Sequence, residues 1–113
     1  MVRPTPPRMT LPTQLVLTVF IEEPTREWYG LELCTVAGLA SGTIHPILAR
    51  LEQVGWVESR WEDVDPHDEG RPRRRYYRLS PDGAAPARVA LRRAAAKGNA
   101  IGRLRPGWAG DAS

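Results

Sequence analysis

The stretch from Ser41 to Leu79, SGTIHPILARLEQVGWVESRWEDVDPHDEGRPRRRYYRL, constrains the fold more than any other part of the chain. Ile44, Leu48, Leu51 and Val54 or Gly55 recur at helical intervals and form one apolar stripe. Thr43, His45, Arg50 and Gln53 lie away from that stripe. Ser41 reads as the N-cap, and Pro46 falls early enough for its missing N–H to cost little. After Gly55, Val57 to Glu62 alternates as a strand, with Val57, Ser59 and Trp61 on one face. Asp63 to Pro72 reads as a charged loop, and Arg73 to Leu79 as the return strand. Glu58 and Glu62 are placed to pair with Arg74 or Arg78 across that hairpin.

Upstream, Leu15, Val16, Val19 and Phe20 predict a helix from Thr10 to Glu22, stopped by Pro24. A second helix is expected from Trp28 to Ala37, with Gly38 as its C-terminal stop. Gly38-Leu39-Ala40 is short enough to be the turn of a helix-turn-helix. Ser80-Pro81-Asp82 reads as the start of a basic, alanine-rich helix running to Lys97. The expected fold class is therefore mainly α with a small β-hairpin, a winged helix-turn-helix. Residues 1–9, with Pro4, Pro6 and Pro7, read as a flexible arm. The domain spans residues 10–97, and residues 98–113 read as a flexible tail.

A chain of 113 residues is one domain by size, with little surplus core, so association with a second copy would help it. No apolar run reaches membrane-spanning length, and MVRPTPPRMT lacks a signal-peptide core. The lone Cys34 excludes an internal disulfide and suits a reducing cytoplasm; it reads as a small core residue. Charge is divided unevenly. Residues 1–70 carry five basic and eleven acidic side chains, and residues 71–113 eleven basic and two acidic. A basic block of this kind suits an anionic partner, with a merely solvated surface as the plainer reading.

A helix that reads bases shows polar side chains of modest length near its N-terminal end. Ser41, Thr43, His45 and Arg50 fit that requirement, although each is also an ordinary surface residue for a core helix. Arg71, Arg73, Arg74 and Arg75 could follow phosphates or enter a minor groove. The acids Glu62, Asp63, Asp65, Asp68 and Glu69 oppose this unless their loop bends away from a duplex. Arg3 and Arg8 could reach a minor groove from the arm. His45 could add phosphate affinity when protonated, or donate to a base when neutral. His45, His67 and Cys34 have no zinc spacing, there is no phosphate-binding glycine loop, and no carboxylate pair is placed for acid–base work. No enzyme activity and no cofactor are expected.

These same residues resemble the PadR family of winged-helix transcriptional regulators. The matching positions are Gly42, Thr43, Ile44 and Pro46; Leu48, Leu51, Glu52, Gly55, Trp56 and Val57; and Gly70 through Gly83, which includes GRPRRRYYRLSPDG. Tyr29-Gly30-Leu31-Glu32-Leu33 is similar to the family's second-helix segment. Together the matches span about residues 28–83. The resemblance implies a cytoplasmic, nucleoid-associated homodimeric repressor on double-stranded DNA, recognising an inverted repeat. By matched position it puts Ser41, Thr43 and His45 at the DNA face and Arg73 and Arg74 on the wing, while Tyr77 and Leu79 fasten the wing. Three departures stand out: His45 and Leu31 each replace a usual tyrosine, and the C-terminal part is short. Dimerisation is then expected through the first helix and Ala84–Ala96. Some members bind aromatic effectors, so Trp28, Trp56 and Trp61 are candidate ligand residues, with core packing as the alternative; Trp108 lies in the tail. The competing functions are a protein-binding adaptor and a non-specific DNA-binding protein.

Overall fold

The structure, a computed structural model, describes residues 6–104, of which residues 99–104 are described as backbone alone. The elements run α1 (Leu11–Glu22), β1 (Trp28–Tyr29), α2 (Gly30–Ala37), α3 (Ser41–Gln53), β2 (Val57–Trp61), α4 (Pro66–Glu69), β3 (Arg75–Leu79) and α5 (Ala84–Leu104). The mainly helical fold with a small antiparallel sheet is the one read from the sequence. Arg3 in the arm and Trp108 in the tail lie outside the described residues.

Thr10 caps α1, its hydroxyl accepting the Thr13 N–H at 3.3 Å. The helix buries Val16, Leu17, Val19 and Phe20 against Leu33, Ile44, Leu48 and Leu51 from α2 and α3. Burial of a side chain such as Phe20 contributes roughly 1.5–3 kcal/mol. Gly38 ends α2 in the left-handed region at φ 69°, and the Leu39 N–H closes the turn on the Cys34 carbonyl at 3.0 Å. The chain then turns by 111° into α3.

Several boundaries differ from the sequence reading. Trp28 and Tyr29 do not begin α2; they form an edge strand, pairing with Tyr77 and Tyr76 of β3. Two residues are too few for a periodicity to reveal. The sheet order is thus β1-β3-β2, three strands rather than a bare hairpin. Ala40, not Ser41, is the N-cap of α3: its carbonyl accepts from Thr43 and Ile44, and Ser41 is already helical. Gly38 sets the exit angle, so the extended cap conformation falls on Ala40 whatever its side chain. Pro46 lies inside α3, beyond the free first turn, so the Gly42 carbonyl loses the N–H it would otherwise accept.

The loop read between the strands contains a helical turn, α4. Asp65 caps it through the His67 N–H at 2.9 Å, Pro66 begins it, and Gly70 ends it. β3 starts at Arg75 rather than Arg73, although the Glu62 N–H still reaches the Arg74 carbonyl at 2.8 Å. Ser80 to Gly83 form a turn, and α5 begins after it. Ser80 anchors that turn, its N–H donating to the Trp56 carbonyl at 3.0 Å and its hydroxyl to the Gly55 carbonyl at 2.6 Å. A side chain at Gly83 would put a Cβ 2.2 Å from the Trp56 carbonyl oxygen, so only glycine fits. α5 continues past Lys97 through Gly98 to Leu104, where the sequence reading stopped it. A glycine inside a helix costs about 1 kcal/mol relative to alanine and does not by itself end the helix. Among the described residues, no single helix is long and apolar enough to cross a membrane.

Candidate nucleic-acid interface

α3 is the first component. Ile44, Leu48 and Leu51 are at most 1% exposed, which fixes the rotation of the helix and turns its other side outward. Ser41, Thr43, His45 and Arg50 all lie on that exposed side. They divide between two flanks. Ser41 and His45 are one turn apart, and the His45 imidazole lies against Gly30 of α2, with Cε1 3.2 Å from where a Cβ on Gly30 would stand. The small residue at position 30 therefore makes room for the ring. Thr43 and Arg50 line the opposite flank, facing residues 8–13.

The wing is the second component, and its four arginines are in different situations. Arg71 makes a two-pronged contact with Glu62, at 2.7 and 3.1 Å. Glu62 was expected to reach Arg74 or Arg78; it takes Arg71 instead, and accepts the Arg74 backbone N–H at 3.2 Å. The α4 turn brings Arg71 back to the end of β2, which a plain hairpin would not do. The Arg71 guanidinium holds the Glu62 carboxyl well down, to about 2, and raises its own pKa in return. The expected pairing of Glu58 is present, with Arg78 at 2.7 Å.

Arg75 points toward α3. It donates to the Ser59 hydroxyl at 2.8 and 3.1 Å and to Glu52 at 3.3 Å, while Ser59 itself donates to Glu52 at 2.6 Å. Its guanidinium also lies 5.3 Å from the centre of the Trp61 ring. Glu52 near the end of α3, Ser59 on β2 and Arg75 on β3 thus form a strut between helix and wing. The sequence alone puts Arg75 among the DNA ligands and gives Ser59 and Glu52 no part in the site. The register could have revealed the strut, since Ser59 and Trp61 share the face that Arg75 joins.

Arg73 donates once, from Nε to the Val64 carbonyl at 2.8 Å, and is otherwise exposed. Arg74 lies over the Tyr29 ring, 4.3 Å from its centre, and its guanidinium makes no hydrogen bond or ion pair among the described residues. Of the wing arginines, Arg73 and Arg74 therefore retain free donors for a ligand, and Arg71 and Arg75 serve the fold.

The three tryptophans occupy different environments. Trp28 is buried, with the Arg26 guanidinium 3.7 Å over its ring and Nε1 without a hydrogen-bond partner. Trp56 is half-buried beside the Gly83 turn, and Trp61 is exposed at the end of β2. The shallow groove that Trp28 lines, about 240 Å³ in volume, takes in neither Trp56 nor Trp61.

Known structures share this fold. A PadR family transcription regulator from hypervirulent Clostridium difficile is 18% identical, with a TM-score of 0.63, covering 84% of this chain and 98% of its own. A PadR-like transcriptional regulator from Bacillus cereus is 19% identical, with a TM-score of 0.59 and coverage of 81% and 88%. Reduced AbfR bound to DNA is 26% identical, with a TM-score of 0.56 over 74% of this chain. This chain spans about half the length of AbfR, 53% in that structure. No protein of curated function matches the sequence. The family model of the PadR-like transcriptional regulators matches residues 17–88, from within α1 to within α5. The chain belongs to the PadR-like family of transcriptional regulators.

Proposed function

We propose that this protein is a sequence-specific repressor that binds an inverted repeat in double-stranded DNA as a homodimer. One observation carries the reading. The exposed side of α3, with Ser41, Thr43, His45 and Arg50, sits beside a wing on which, among the described residues, Arg73 spends one guanidinium donor and Arg74 none. Polar side chains of this length suit base edges in a major groove, and guanidinium groups on a hairpin suit phosphates or a narrow minor groove. The DNA-bound state of AbfR, at 26% identity, supports the same role here.

Dimerisation is supported by Leu11 and Leu15 of α1, which are 63% and 45% exposed and lie one turn apart. α1 packs against α5, so both helices are available at one side of the domain. Two copies would place their α3 helices about 34–36 Å apart, on half-sites one helical turn apart.

Fluorescence anisotropy tests the reading, with duplex from the region upstream of the gene against a scrambled duplex, at two salt concentrations. A specific regulator prefers the upstream duplex by roughly a thousandfold or more, and loses affinity as salt rises. Equal, salt-sensitive binding to both would point to non-specific DNA binding. Absence of binding at low salt would turn the search to a protein partner.

A further inference from the structure

The basic surface of this domain does not end at α3 and the wing. Arg8, Thr10, Thr43 and Arg50 line a groove of about 310 Å³ between the segment leading into α1 and the outer flank of α3. Arg8 and Thr10 also line a second groove of about 410 Å³, whose far wall is α5 with Lys97. The shared residues make the two one continuous surface, running from Arg50 past Arg8 to Lys97.

Every charged residue along it is a cation. Arg8, Arg50 and Lys97 form no ion pair among the described residues, and the Thr43 hydroxyl makes no hydrogen bond among them. Arg26, Arg60, Arg71, Arg75 and Arg78 each hold a carboxylate, so the groove joins the wing's Arg73 and Arg74 and the exposed α5 arginines among the cations that hold none among the described residues. Three unpaired cations along one groove repel each other and favour a ligand that carries negative charge at intervals. A phosphodiester strand has that character, with one charge about every 3.4 Å of helix axis. The groove also begins on α3 itself, since Thr43 and Arg50 belong to it.

We propose that this groove carries the phosphate backbone of DNA flanking the segment that α3 reads, with Arg50, Arg8 and Lys97 as successive phosphate ligands. The inference rests on the DNA-binding reading above and extends its footprint from the helix and wing to the end of the domain where the start of α1 meets Ala94–Gly98 of α5, a lining that leaves out the Leu11 and Leu15 of the proposed dimer contact. Phosphate contacts position the protein without reading sequence, so a random-sequence duplex is a sufficient probe.

The test uses the full chain and a labelled random-sequence duplex of about 30 base pairs, long enough to extend past both half-sites, titrated over a salt series. Each substitution removes two phosphate contacts from a homodimer, so Arg8→Ala and Lys97→Ala should each weaken binding by about tenfold or more at low salt and reduce the salt slope by about 1.8, the double variant by twice that. Arg26→Ala removes an equal charge from the loop after α1, outside the groove and outside the proposed dimer contact, and should leave the slope unchanged. Thermal unfolding of each variant checks that the domain is intact. If the wild type binds and the groove variants keep its slope, the groove carries no phosphate and the DNA-binding reading still stands. The groove assignment is also overturned if Arg26→Ala weakens binding as much as the groove variants, because net charge alone would then explain the loss. If the wild type binds neither this duplex nor the upstream one at low salt, both readings fail together.

Discussion

Arg75 commits its guanidinium to Ser59 and Glu52, whereas Arg73 gives a single N–H to the Val64 carbonyl. That difference predicts opposite outcomes for two neighbouring substitutions. Arg73→Ala should leave the urea midpoint unchanged and lower duplex affinity. Arg75→Ala and Glu52→Ala should each lower stability, and a double-mutant cycle should give a coupling of roughly 0.5–1.5 kcal/mol, modest because both side chains are partly solvated. A coupling near zero would reduce the strut to an incidental contact. Glu62 makes a pH prediction. Its carboxyl is held from 4.5 down to about 2, first by Arg71 and then by the Arg74 N–H. A depressed carboxylate stabilises the folded wing above its ordinary pKa and loses that contribution as pH falls from about 4.5 toward 2. A carbon-13 titration of the carboxyl should therefore show its midpoint near 2. A midpoint at the ordinary value would mean that the Arg71 contact does not persist in solution. Neither pairing is legible from arginine spacing alone: Arg71 and Glu62 meet because of α4, and Arg75 and Glu52 meet across 23 residues.

Among the elements, the join between the wing and α5 is the tightest. Gly83 touches the Trp56 backbone, and Ser80 ties the same turn to Gly55 and Trp56. Gly83→Ala would force backbone against backbone, so it should destabilise the domain by roughly 1–3 kcal/mol or more in a denaturant titration. A neutral result would mean the turn can shift without loss. The glycine is visible in the SPDG run, but the reason for it lies 27 residues earlier at Trp56, in a different element. The long elements were readable because each carries its own period and stop signal: the Ile44, Leu48 and Leu51 stripe, Gly38 after α2, Pro24 after α1. β1 and α4 were not readable. A two-residue strand exists only because β3 offers it an edge, and a four-residue helix has too few positions to show a period.

For the whole molecule, one core joins α1, α2, α3 and the sheet, with Phe20 fully buried within it. Phe20→Ala should cost about 3–5 kcal/mol, enough to unfold much of the population at physiological temperature. Circular dichroism melts would show it. Leu11 and Leu15 present the opposite case, apolar side chains that the described residues leave 63% and 45% exposed. Leu15→Glu should leave the monomer folded and, if α1 lies in the proposed dimer contact, shift sedimentation equilibrium to the monomer. An unchanged mass would place the contact elsewhere.

The sequence by itself determined the order of helices and strands, the helix-turn-helix with its wing, and the family, because apolar periods, turn residues and motif spacing are local properties of the chain. Tertiary structure alone decided which basic residues are free. Arg71 and Arg75 are neutralised by carboxylates from other elements, while Arg8, Arg50 and Lys97, from three separate parts of the chain, converge on one groove. Charge along a sequence reports how many cations there are. Only packing determines which of them meet a carboxylate and which are left facing solvent.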